Sequence, residues 1–164
     1  MAEHFRAENF HGGGIVLRFI EYMDVGGSNG WRLDEVVTAQ QILEQIASRH
    51  AIHAIDHGYP GEVAERWRYA DGGGEIGVIA AISRAFCHTC SRARLSTDGK
   101  LYTCLFATQG ADLRASLRRG ATDQALTGLI AGCWRGRGDR YSQLRHAAAD
   151  FATAAKIEMS FIGG

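Results

Sequence analysis

The chain has 164 residues, 46% of them apolar, enough for one domain with a proper core or one and a half small ones and too many for a disordered tail. Eighteen basic residues balance eighteen acidic ones, so charge selects no nucleic acid, membrane surface or acidic partner, and any bound anion must be held locally. No apolar run approaches the ~18 residues of a membrane span, the first ten residues lack the features of a leader, and four cysteines do not make a disulfide scaffold, so the expected location is the cytoplasm.

Ala2 to Phe10 reads as the tail of a helix, closed by the run Gly12 to Gly14. Ile15 to Tyr22 is β-branched and aromatic and reads as a strand, its apolar run interrupted by Arg18 and Glu21. A glycine-containing loop from Asp24 to Arg32 follows. Thr38-Ala-Gln-Gln41 has the form of a capping box, with Val37 placed to staple against Ile42, and opens a helix from Ala39 to about Arg49 that buries Ile42, Leu43 and Ile46. Ala51 to Pro60 is a loop with room for a short strand. Val63 to Tyr69 and Glu75 to Ile82 read as a hairpin joined through Asp71-Gly-Gly-Gly74, and Arg92 to Thr97 and Lys100 to Phe106 as a second around Asp98-Gly99. Asp112 caps a short helix ending at Gly120, Asp123 to about Trp134 makes another, and Tyr141 to Ala155 adds a helical stretch before the tail Lys156 to Gly164.

Between the hairpins lies the cysteine loop, Phe86 to Ser91. Cys87 and Cys90 are separated by two residues, and thirteen more separate Cys90 from Cys104, on the returning arm of the second hairpin. Thiolates suit zinc or iron–sulfur clusters. A structural zinc site needs a fourth ligand, either Cys133 or a distant histidine, whereas a cubane held by three thiolates leaves one iron open for a substrate. Cys133 by itself reads as a small buried hydrophobe.

Arg92 and Arg94, two apart on a strand, point to one face, and guanidinium groups suit phosphates; a solvated strand face is the alternative. Register separates two arrangements. A two-residue turn at Asp98-Gly99 pairs Cys104 with Ala93 and turns it away from the arginines, whereas a three-residue loop or a bulge sets Cys104 on the side of Arg94.

Five segments, taken in order, resemble one family. They are Arg18-Phe-Ile-Glu-Tyr-Met-Asp24, Phe86-Cys-x-x-Cys90-x-Arg92-x-Arg94-Leu, Asp98-Gly-x-Leu-Tyr-x-Cys104-Leu-Phe106, Asp139-Arg-Tyr-Ser142 and the ending Lys156-Ile-Glu-Met-Ser-Phe-Ile-Gly-Gly164. The chain resembles the C-terminal half of the GTP 3′,8-cyclase family, radical S-adenosylmethionine enzymes that convert GTP to (8S)-3′,8-cyclo-7,8-dihydroguanosine 5′-triphosphate in molybdenum cofactor biosynthesis. The resemblance implies an α/β fold: residues 1–35 as the last strand region of an incomplete (βα) TIM-type barrel, and residues 36–164 as a mixed α+β closing domain.

It further implies a [4Fe–4S] cluster on Cys87, Cys90 and Cys104, GTP contacts from Arg18, Arg92 and Arg94, and Met23 against S-adenosylmethionine. Gly163 and Gly164 are implied as the tail that enters the active site. Ser91 stands where the family usually has asparagine, and the proline that often precedes the first cysteine is missing at Ser83-Arg84-Ala85. The C-x-x-x-C-x-x-C of the radical-generating cluster is absent. A chain of this extent is therefore expected to be inactive alone; its expected partners are GTP and the missing N-terminal radical half or a homologous chain, with a homodimer as a further option and no nucleic acid or membrane. The alternative is a zinc-binding structural or interaction module without catalysis.

Overall fold

The computed structural model describes residues 2–10, 14–138, 141–144 and 157–162. The chain divides into two units, one of Met1–Met23 with Arg32–Cys90 and one of Asp24–Trp31 with Ser91–Gly164.

In the first unit, Thr38 fixes where the principal helix begins. Its hydroxyl accepts from the Gln41 amide at 3.3 Å while the Gln41 side chain accepts from the Thr38 amide at 2.8 Å, the capping box expected from sequence. Helix α2 (Ala39–Ala47) follows, α1 being Ala2–Phe10. Val37 remains about half exposed, so the hydrogen bonds rather than an apolar staple define this end. Thr38→Ala is expected to lower stability by about 1 kcal/mol, the usual cost of losing such a cap; a lower urea midpoint with unchanged slope checks it.

Helix α2 lies on a four-stranded sheet made of β1 (Leu17–Ile20), β2 (Ile52–Ile55), β3 (Glu65–Tyr69) and β4 (Glu75–Ile79), in the order β1-β4-β3-β2. The hairpin β3–β4 forms as anticipated. Asp71 accepts from the Gly73 amide at 3.0 Å, and Gly72 and Gly74 take the left-handed conformations that the turn requires. Unanticipated is the parallel pairing of β1 with β4, Leu17 opposite Ile76 through Ile20 opposite Ile79. The strand Ile15 to Tyr22 shortens accordingly to Leu17–Ile20.

Alternation along β1 sends Leu17 and Phe19 inward and Arg18 and Ile20 outward. Phe19, Ile42 and Leu43 pack on two buried groups, Ala39, Val78 and Ala80, and Ile46, Tyr69 and Ile76. All three helix residues expected to be apolar contacts, Ile42, Leu43 and Ile46, are thus engaged, and Ile46 is buried.

The second unit contains a three-stranded antiparallel sheet, β5 (Arg94–Leu95), β6 (Lys100–Tyr102) and β7 (Ala111–Asp112), in the order β5-β6-β7. Asp112 caps α3 (Leu113–Arg118) through the Ala115 amide at 2.7 Å, and Thr122 caps α4 (Asp123–Arg135). Helix α5 (Tyr141–Leu144) and a 3-10 turn at Met159–Ile162 complete the described residues. The rest of the helical stretch expected from Tyr141 to Ala155 lies outside them, as do Gly12, Gly13, Asp139 and Arg140.

The hairpin turn is tied to α3. Gly99, at φ +79°, offers its carbonyl to the Leu113 and Arg114 amides at 3.0 and 3.1 Å. Tyr102 is 3% exposed, and its ring lies so close to Gly110 that a Cβ there would come within 2.7 Å of it. A glycine in this place is a packing requirement.

Candidate functional site

Arg18 stands on the outward face of β1 with its side chain 47% exposed, and pairs with Glu62 at 3.3 Å. The Glu62 side chain is only 3% exposed and also accepts from the Gly58 amide at 2.7 Å, so it is fixed as an acceptor for Arg18. Opposite Arg18 on β4 is Gly77, where a Cβ would approach the Arg18 Cγ to 3.1 Å. The glycine gives the arginine stem room to lie across the sheet. Sequence reasoning named Arg18 and missed both neighbours; a glycine inside an apolar strand was the available signal.

Glu21, read from sequence only as an interruption of the strand, is 1% exposed. Its carboxylate accepts from the amides of Ala39 at 2.7 Å, Ile82 at 2.6 Å and Ser83 at 2.8 Å, and from the Ser83 hydroxyl. Burial pushes the Glu21 carboxyl up, but these donors outweigh it and hold the group below the usual glutamate range. It joins the end of β1 to the start of α2 and to the chain after β4, on the path to the cysteine loop.

Cys87 and Cys90 sit on one short 3-10 turn, the Cys90 amide donating to the Cys87 carbonyl at 3.4 Å. Met23 is half-buried at the end of the first stretch of the same unit.

In the second unit, Arg94 pairs with Tyr102 and Leu95 with Leu101. Ser96 and Lys100 bond at 2.9 Å around Thr97, Asp98 and Gly99. This is the three-residue loop, so the register is the second of the two anticipated: continued by two residues, it sets Arg92 against Cys104. The ladder itself ends at Tyr102, and Cys104 begins a turn in which its Sγ accepts from the Phe106 amide at 3.4 Å. The Phe106 ring stacks on Tyr141 with centroids 4.4 Å apart, and the Tyr141 hydroxyl donates to the buried Asp24 carboxylate at 2.6 Å. Three of the sequence segments, ending in Asp24, Phe106 and Ser142, therefore converge beside Cys104.

All four cysteines are thiols of intermediate exposure, Cys133 among them on α4. Cys87 and Cys90 belong to the first unit and Cys104 to the second. Among the described residues, neither unit by itself gathers three cysteine, histidine or carboxylate groups suited to a metal. Sulfur donors of this kind suit soft metals and clusters rather than hard cations. Gly163 and Gly164 lie outside the described residues.

The family described as Molybdenum Cofactor Synthesis C matches residues 15–143. The chain is 49% identical over 157 residues to a protein named GTP 3′,8-cyclase from Xanthomonas axonopodis pv. citri, which covers 96% of this chain and 46% of that relative. A GTP 3′,8-cyclase of Acidothermus cellulolyticus is 47% identical over 174 residues, 92% of this chain and 48% of that relative. One of Staphylococcus aureus is 43% identical over 166 residues, all of this chain and 47% of that relative. The chain spans about half the length of the curated relatives it matches.

Proposed function

The chain belongs to the molybdenum cofactor synthesis C family, and from that membership we propose that it is the substrate-holding half of a GTP 3′,8-cyclase. The supporting observation is the register of the second hairpin, which pairs Arg94 with Tyr102; extended by two residues, that register would set Arg92 opposite Cys104. It favours one face that presents both cationic and thiolate groups.

In this reading Cys87, Cys90 and Cys104 hold a [4Fe–4S] cluster. When bound, that cluster supplies an open iron able to coordinate the purine. Arg92 and Arg94 bind GTP phosphate through charge-assisted hydrogen bonds, and Arg18 adds a third guanidinium, which exchanges its bond to Glu62 for one to substrate. Their contribution is orientation and charge stabilisation. Met23 contacts S-adenosylmethionine, and Gly163 and Gly164 close over the bound nucleotide. Radical chemistry is the task of the N-terminal half of such an enzyme. Residues 1–35 form the last barrel strand region and 36–164 the closing domain.

The open edge of β1 supports an N-terminal partner: among the described residues it pairs only with β4, leaving a row of backbone donors and acceptors for a further strand. Exposed Ile15, Val16 and Ile20 lie on or beside it.

Iron, sulfide and zinc analysis of chain purified without oxygen, with a visible spectrum and a GTP-binding measurement, tests the reading. The expected result is about four irons and four sulfides per chain, lost in Cys104→Ala. Zinc without sulfide replaces the reading with a structural module.

A further inference from the structure

Two C-terminal segments of the second unit attach to one loop, residues 24–31. Tyr141 bonds Asp24 at its start, and Glu158 bonds the next turn: one carboxylate oxygen accepts from the Gly27 amide at 2.8 Å and the other from the Ser28 hydroxyl at 3.0 Å. Gly26 is buried at φ +67°, and a Cβ on it would fall 2.3 Å from the Glu158 Oε2. The turn is therefore shaped around the carboxylate.

Four residues later Ile162 is fully buried, and the Phe161 amide bonds the Glu158 carbonyl at 3.0 Å, closing the segment into a 3-10 turn. Burial of Ile162 is non-directional and holds the segment down. The paired bonds of Glu158 are directional and set its register along the loop.

We infer that Glu158 is a positioning residue, a latch that seats residues 157–162 on the Gly26-Gly27-Ser28 turn and so fixes the point from which Gly163 and Gly164 depart. The catalytic significance of that point rests on the function proposed above; the latch itself does not. Ionised Glu158 is the latched form: the Gly27 amide, followed by Ser28, holds its carboxyl below the usual glutamate range. Glutamine at this position retains one acceptor oxygen of nearly the same shape, whereas alanine retains none.

Amide hydrogen exchange read by mass spectrometry on the intact chain tests the latch, with GTP affinity measured on the same proteins. In Glu158→Ala, peptides covering residues 24–31 and 157–162 are expected to exchange roughly tenfold faster, while those covering β3 and β4 keep the parent rate. Glu158→Gln falls between, and Gly26→Ala, which fills the carboxylate's place, matches Glu158→Ala. GTP affinity stays within about twofold of the parent, because the arginines carry it. Unchanged exchange of both segments in Glu158→Ala and Gly26→Ala overturns the latch. Absence of GTP binding in parent and variants alike overturns the proposed function and leaves the latch standing.

Discussion

Glu21→Ala is expected to destabilise the chain by about 3–5 kcal/mol, because it strands three inward-pointing amides and a hydroxyl that share one buried carboxylate. Against a typical stability of about 5–15 kcal/mol, that leaves the first unit marginal. Glu21→Gln tests the charge separately. An amide keeps one acceptor oxygen but turns an N–H₂ group toward N–H donors, so it is expected to cost about 2–4 kcal/mol.

The pH dependence has a fixed sign. The folded carboxyl titrates below the ordinary glutamate value, about 4.3, so folding favours its ionised form. The resulting stability is complete above the ordinary value and drains as pH falls through the folded one. Urea unfolding of parent and Glu21→Gln at a series of acid pH values checks this. The parent should lose more stability on acidification than the variant, and parallel curves would refute the assignment.

Gly99→Ala is expected to cost about 2–4 kcal/mol, the sum of two separable penalties. One is the left-handed backbone at φ +79°; the other is overlap, since the new Cβ would lie 2.6 Å from the Arg114 Cβ. Arg114 cannot swing clear, because a Cβ moves only with its helix. Gly120→Ala isolates the first penalty: Gly120 has φ +81° with nothing within 4 Å of a Cβ, and should cost about 1 kcal/mol. The overlap would push the β5–β6 turn away from α3, and Arg94 with it. Thermal unfolding of the two variants gives the difference, and equal losses would remove the packing argument.

What could be read from the sequence was local. The capping box at Thr38, the Asp71 turn, the Asp112 cap and the hairpin around Asp98-Gly99 each depend on residues within a few positions of one another. The parallel pairing of β1 with β4 spans some sixty residues, and no local pattern encodes it. β7 is two residues long, too short for alternation to show. At the candidate site, cysteine spacing and the arginine pair singled out residues by their chemistry, which is a local property of the sequence. The long-range contacts nearby, Glu62 with Arg18 and Tyr141 with Phe106, join distant segments. Glu21 was visible only as a charge out of place, which its ring of donors explains.

The loop at residues 24–31 imposes an order on synthesis. It leaves the ribosome well before its partner, since the carboxylate that seats on it lies 131 positions beyond Gly27. At about 5–20 residues per second, Glu158 follows roughly 7–26 s later. Residues 32–90 can pair their hairpins within that interval, while the loop's amides remain bonded to water. A nascent chain interrupted before Glu158 would thus carry a finished first sheet and an empty turn, a form that quality-control proteases can distinguish by cleavage within residues 24–31.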